Sequence, residues 1–257
     1  MDTLIGVIIG VVAVLVAMIF KGVSFSAFNN PAAIFVILVG TVGAVTVAVP
    51  GKELKNLPKL FGKIFGKSKG MTTKDAILKL VDFSGLVRKD GILALEPKVR
   101  EIDDIFMKRG VALLVDGCDP ELIRKTLTED IDAMRERHAA GAGIFTQAGM
   151  YAPTLGVLGA VLGLIAALGN MSDTEALGHA ISAAFIATVL GIFTGYVLWH
   201  PFANKLKRKS ADEVLTKNVI MEGLIALSEG VNSRMLSELL NSLVSPKDRI
   251  GEEAGEA

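Results

Sequence analysis

Four stretches of this chain carry no charged side chain: Thr3 to Phe20, Gly22 to Gly51, His138 to Ser172 and Ala176 to Asn204. A helix needs about 20 apolar residues to cross a hydrocarbon core, and helix is the way a single segment satisfies its backbone polar groups in lipid. The pattern therefore predicts four transmembrane helices. Charge returns between and after them, with 18 Lys or Arg and 15 Asp or Glu between Pro50 and His138, and eight basic and nine acidic residues after Asn204. The expected fold class is all-α, a polytopic membrane protein with a helical cytoplasmic domain. Its expected parts are a transmembrane hairpin at 1–50, a cytoplasmic helical domain at 51–148, a second hairpin at 149–203 and a cytoplasmic helical tail at 204–257.

The polar segments read as helix. Thr72 with Asp75 resembles a capping box, and Asp119, Pro120 and Glu121 give an N-cap, a first-position proline and a first-turn acid. Ile123, Leu127, Ile131, Met134 and His138 recur at spacings of three and four, the signature of one buried helix face. His138 reads as an interfacial histidine rather than a ligand, since no Cys cluster or nearby His accompanies it. The third uncharged run, 35 residues long, would stretch roughly 50 Å as one helix. Its first part, Ala139 to Gly149 with three glycines, is expected to project from the membrane or to break there.

Composition fits a mixed membrane and soluble protein: 51% of residues are apolar, yet 27 basic and 27 acidic residues remain. Zero net charge leaves no nucleic-acid footprint. The single Cys118 cannot form an internal disulfide, and a reducing setting is the simplest reading. No metal or cofactor motif is present. The amino terminus lacks a basic n-region, and Phe20, Lys21, Gly22 is a poor cleavage site, so the first span is expected to be kept as a mature helix. Lys52, Lys55, Lys59, Lys63, Lys67 and Lys69 follow the second span and Lys205, Lys207, Arg208 and Lys209 the fourth. The short loops hold only Lys21 in one and Asp173 and Glu175 in the other. By the positive-inside rule both termini face the cytoplasm.

Helix three carries Gly156, Gly159 and Gly163 among alanines, and helix four carries Ala180, Ala183, Ala184, Ala187, Gly191 and Gly195. Small residues let backbones approach in lipid, either within the hairpin or against another chain. Pro153 and Pro201 fall at similar depth near the inner ends of helices three and four. The first reads as a kink or pliable joint, the second as a helix terminator followed by basic residues. No Asp, Glu, Lys or Arg lies within any span, so the chain alone lacks the ionisable group that membrane proton carriers depend on. His179 and His200 sit at the edges of helix four, and Thr154, Thr188, Thr194 and Tyr196 offer only neutral polar contacts. A secondary transporter would need a polar midplane site and internal repeats, and neither is evident. His179 with Ser182 lacks the orienting acid and oxyanion device of a hydrolase, so no catalytic residue is assigned and no enzyme is expected.

The run YAPTLGVLGAVLGLIAAL, Tyr151 to Leu168, with GHAISAAFIATVLGIFTGYVLWHPFANKLKRKS, Gly178 to Ser210, resembles the flagellar stator A subunit, the MotA family, whose relatives include PomA, ExbB and TolQ. The likeness spans essentially the whole chain. Four spans with the main soluble insertion between the second and third fit this branch better than ExbB or TolQ, whose proton-driven work on the outer membrane is the alternative reading. The resemblance implies an inner-membrane energy converter and motility protein: five A subunits around two copies of a single-span, MotB-like B subunit, whose helix supplies the ion-carrying Asp. Ion flow would then put torque on the rotor.

By the same resemblance Pro153 and Pro201 match two family prolines assigned to ion-linked conformational change. Arg88 and Glu96, in RKDGILALE, match charged residues that meet the rotor switch protein FliG, and the adjacent Lys89 is able to share that role. From sequence alone each is a solvated charge. Thr154, Ala160, Thr188 and Tyr196 complete the expected ion-path set. Sodium-driven relatives resemble a pattern with threonines in both helices. Here Thr188 holds the helix-four position, but the helix-three position is Ala160. A missing oxygen costs a sodium ion more than a proton, which binds a carboxylate covalently, so proton coupling is expected.

Overall fold

The computed structural model describes residues 2–23, 30–66, 70–169 and 174–251, and every regular element within them is helical. Lys67 and Lys69 of the basic run after the second span, and Asp173 of the second short loop, lie outside the described residues. Among the described residues four helices are long and apolar enough to cross a membrane, and they fall on the four uncharged runs. The chain divides into two compact units, Met1–Lys67 with His138–Arg208, and Ser68–Arg137 with Lys209–Ala257.

The first unit holds the membrane helices. Helix α1 covers Asp2–Lys21 and α2 covers Pro31–Ala48; two short helices follow at once, α3 at Gly51–Leu54 and α4 at Leu57–Phe65. Asn30 caps α2 by accepting the Ala33 N–H at 3.1 Å. Ala33, Ile37, Thr41 and Val45, every fourth residue, form its buried stripe. Gly40 makes room for Leu155, and Ala33 meets Ala160, Ala184 and Ala187. The Thr41 hydroxyl is buried in that stripe with no hydrogen-bond partner among the described residues, which costs about 1–3 kcal/mol. At one end of the unit Thr3 donates to the Ile64 carbonyl at 3.3 Å and accepts from Lys205 Nζ at 2.5 Å. The start of α1, the end of α4 and the exit of the fourth span therefore lie together, as two hairpins require. Phe61, Phe65, Phe145, Trp199 and Phe202 stack at the same end, mostly edge to face. Such rings suit a membrane interface.

The second unit is a helical core. Helix α5, Thr73–Asp90, begins with the expected capping box, in which Thr72 accepts the Asp75 N–H and the Asp75 carboxylate accepts the Thr72 N–H. A 3₁₀ turn at Ile92–Leu95 leads to α6, Glu96–Val99, and Asp104 caps α7, Ile105–Val115. Ile77 and Leu80 of α5 pack with Met107 and Val111 of α7. Helix α8 starts at Pro120 with Asp119 accepting the Leu122 N–H at 2.9 Å. Ile123, Leu127, Ile131 and Met134 on it are buried as the spacing requires, and His138 is half-buried. Arg124 grips Glu222 with two hydrogen bonds, 2.6 and 3.0 Å. That bond, chiefly, holds the Arg124 pKa above its ordinary value.

Of the two expectations for the third span, a projecting helix or a break, the break is excluded, and the fourth span departs from its expectation. Helix α8 does not break at Ala139–Gly149; it runs unbroken from Pro120 to Leu168, 49 residues, or about 74 Å at 1.5 Å per residue. Two of its three glycines there serve packing, Gly141 lying under Leu60 and Gly149 under the His200 ring, while nothing lies within 4 Å of the Cβ position of Gly143. Pro201 likewise does not terminate a helix. Helix α9, Thr174–Phe193, passes through a π turn at Thr194–Trp199 into α10, His200–Ser228. Proline has no N–H for the Val197 carbonyl, and its ring crowds that carbonyl. The preceding turn widens instead, so that the His200 N–H reaches back to the Gly195 carbonyl. A one-turn π segment of this kind lets the helix pass the ring without stopping.

Candidate functional site at the glycine and proline contact of two membrane helices

Helices α8 and α9 touch backbone to backbone. A Cβ on Gly156 would lie 2.8 Å from the Ala187 carbonyl oxygen and 2.9 Å from Gly191 Cα. One on Gly191 would lie 2.8 Å from both the Ala152 carbonyl oxygen and Gly156 Cα. No side-chain rotation relieves an overlap with backbone, so these two positions admit glycine alone at this separation. The small residues at Ala152, Gly156, Ala187 and Gly191 thus close the hairpin itself. Gly163 has open space where its Cβ would be, so the small-residue surface also continues outward.

Farther along the same contact the two prolines become one structure. Gly195 lies in the π turn, and a Cβ on it would meet Pro153 Cγ at 2.7 Å and the Gly149 carbonyl oxygen at 2.9 Å. The Pro153 ring is therefore seated on the widened turn that Pro201 requires. Gly149 is the residue whose carbonyl would have accepted an N–H from position 153, and its bare Cα receives the His200 ring. Tyr196 stacks on His200 with ring centroids 5.2 Å apart. Each helix has given up regular hydrogen bonding where it faces the other, and a segment with unmade or alternative backbone bonds rearranges more readily than a regular turn.

Of the other residues singled out by sequence, Thr154, Ala160, Thr188 and Tyr196 lie on the same membrane helices as this joint, whereas Arg88, Lys89 and Glu96 belong to the second unit. Pro153 is half-buried and Pro201 exposed. Thr154 is exposed, its hydroxyl donating to the Met150 carbonyl at 3.1 Å. Tyr196 is 64% exposed. Thr188 is half-buried and donates to the Ala184 carbonyl at 3.1 Å. Ala160 is buried among Ala33, Ala184 and Ala187, so the position that would carry a second threonine looks into the helix cluster. Arg88 and Lys89 end α5, Gly91 turns the chain with φ of 81°, and Glu96 opens α6. All three charges are exposed and none forms an ion pair among the described residues, unlike Arg109 with Asp130 or Arg124 with Glu222. The paired roles of Gly149 and Gly195 were not readable beforehand: both show as small residues, but the ring each one receives comes from the other helix.

This arrangement has close relatives. Residues 98–218 match the MotA/TolQ/ExbB proton channel family. Motility protein A of Bacillus subtilis is 53% identical over 256 residues, covering 99% of this chain and 95% of the relative. The chain belongs to the MotA family. Its fold superposes on the flagellar MotAB stator complex from Bacillus subtilis with a TM-score of 0.90 at 53% identity, covering 95% of this chain and 96% of that one. It superposes on C. jejuni MotAB with the same TM-score, 0.90, at 31% identity. This MotA-family chain is thus a flagellar stator subunit of a proton channel family, a multi-pass protein of the inner membrane and not an enzyme. The near full-length match to motility protein A separates it from an ExbB or TolQ unit.

Proposed function

We propose that this stator subunit assembles, five copies around two, with a MotB-like single-span subunit, and that protons reach an Asp on that partner along the face of α8 and α9. The observation that carries this reading is a channel-family chain whose four membrane-crossing helices fall on runs that hold no Asp, Glu, Lys or Arg, so the titrating group has to come from another helix. The likeness to a solved MotAB complex supports a partner of that kind. The basic residues after the second and fourth spans support an orientation with both termini in the cytoplasm.

A carboxylate in such a site has two unlike states. Ionised, it seeks water or hydrogen-bond donors; protonated, it tolerates an apolar wall. Protonation from outside lets the smooth face of one stator subunit move past the partner, and release inward restores the charge. Each proton supplies about 2.3 kcal/mol per 100 mV, so substantial work takes several. Pro153 on its Gly195 seat, with the π turn before Pro201, is the element that changes shape between the two states. Five subunits around two partner helices prevent both carboxylates from holding equivalent positions, which favours stepwise rotation.

Proton rather than sodium coupling is supported by the residue type at position 160, where alanine brings no oxygen and the pattern of sodium-driven relatives has a second hydroxyl. In a stator-deleted strain complemented with this chain and its partner, swimming is expected to stop when the proton gradient is collapsed and to persist when the sodium gradient is. The reverse result would assign sodium. The exposed charges Arg88, Lys89 and Glu96 are proposed to face FliG. Arg88→Glu with Glu96→Lys is expected to cut swarm diameter severalfold while leaving proton flux unchanged; loss of flux would place these residues in assembly instead.

A further inference from the structure

We infer that the lysine-rich helices α3 and α4 form a docking surface for anionic phospholipid headgroups in the leaflet where α2 emerges. Lys52, Lys55, Lys59 and Lys63 are exposed, and residues 51–66 hold these four lysines against one acid, Glu53. Helix α2 has 18 residues and is about 27 Å long, close to the hydrocarbon thickness. Only Val49 and Pro50 separate it from α3, so these lysines start at headgroup depth. The apolar side of α4 is fixed in place, with Ile64, Leu60 and Phe61 packed against Ala142 and Phe145 of α8 and Phe202 and Leu206 of α10. The Thr3 bridge brings Lys205 beside the end of α4, and exposed Lys207 and Arg208 follow it.

Length, depth and charge together specify the occupant. A cation-rich helix at headgroup level beside a cluster of Phe and Trp rings has the composition of an interfacial membrane helix. Each lysine near an anionic surface contributes about a fivefold gain in binding. The contact also bears on the joint described above, because α4 packs on Phe202, the residue after Pro201. Which leaflet this is depends on the proposed orientation; the lipid contact itself does not.

The test uses the full chain with its partner subunit in mild detergent, titrated with phosphatidylglycerol or phosphatidylcholine and read by native mass spectrometry. Phosphatidylglycerol is expected to be retained at least about tenfold more than phosphatidylcholine. The variant K52Q/K55Q/K59Q/K63Q is expected to lose that preference, and a control with Lys74, Lys108, Lys125 and Lys247 changed to Gln to keep it. Equal retention of the two lipids, or an undiminished preference in the four-lysine variant, overturns the proposal. Should that variant fail to assemble, raising salt from about 50 mM to about 500 mM must release phosphatidylglycerol from the unaltered complex, and salt-insensitive retention overturns the proposal equally. Glycerol 3-phosphate is expected not to compete; competition would indicate a free-phosphate site and overturn the membrane assignment. Labelling of K59C in a C118S background from outside intact cells would contradict the orientation while leaving the lipid result standing.

Discussion

Gly191→Val is expected to abolish swimming and to destabilise the purified chain by about 1–3 kcal/mol, the usual cost of forcing extra methyl groups into a packed contact. The magnitude comes from what the new side chain meets. At Gly191 it meets the Ala152 carbonyl oxygen and Gly156 Cα, both 2.8 Å from the Cβ position. Backbone cannot step aside, so helices α8 and α9 must separate and the Pro153 ring leaves its seat on Gly195. At Gly10, by contrast, the nearest obstacle is a terminal methyl of Val197, which a rotamer change moves. Gly43→Val is the matched control, because nothing lies within 4 Å of its Cβ position. Thermal unfolding of both variants in detergent, with swarm assays, checks the difference; equal behaviour of the two would remove the glycine contact from the mechanism.

Pro153→Ala is expected to separate stability from function. Alanine returns an N–H to position 153, where the Gly149 carbonyl can accept it, and removes a penalty of about 3 kcal/mol for proline within a helix. Part of that gain is lost because the Pro153 ring no longer fills the space over Gly195. The variant is therefore expected to unfold at a temperature no lower than the unaltered chain while proton flux through the assembled complex falls at least tenfold. Co-purification with the partner subunit should be unchanged. A merely structural proline would show the opposite pattern, lower stability with flux preserved. Strain kept at a moving joint at the expense of stability is a familiar trade.

The elements that could be read from sequence are those whose cause is local. Uncharged length fixed the four spans, and Thr72 with Asp75 and Asp119 with Pro120 marked helix starts because a cap involves residues three apart. Pro201 misled because its effect on the helix depends on the turn before it. A widened turn at Thr194–Trp199 accommodates the ring, and nothing in the spacing distinguishes that from a stop. The glycines of Ala139–Gly149 left a break open beside a projecting helix for the same reason. At Gly141 and Gly149 the missing side chains are replaced by Leu60 and His200 from elsewhere in the unit, and a periodic pattern names a face without naming its partner. The buried Thr41 hydroxyl, without a partner among the described residues, is invisible in a run that reads as uniformly apolar.

Proton flux into liposomes, compared for this chain alone and for the chain with its partner subunit, bears most directly on where the titrating acid resides. With an imposed membrane potential the chain alone is expected to leave the lumen pH unchanged, and the complex to acidify it until the partner's Asp is replaced by Asn. A gated proton current through the chain alone would contradict the assignment of the ion-carrying carboxylate to the partner.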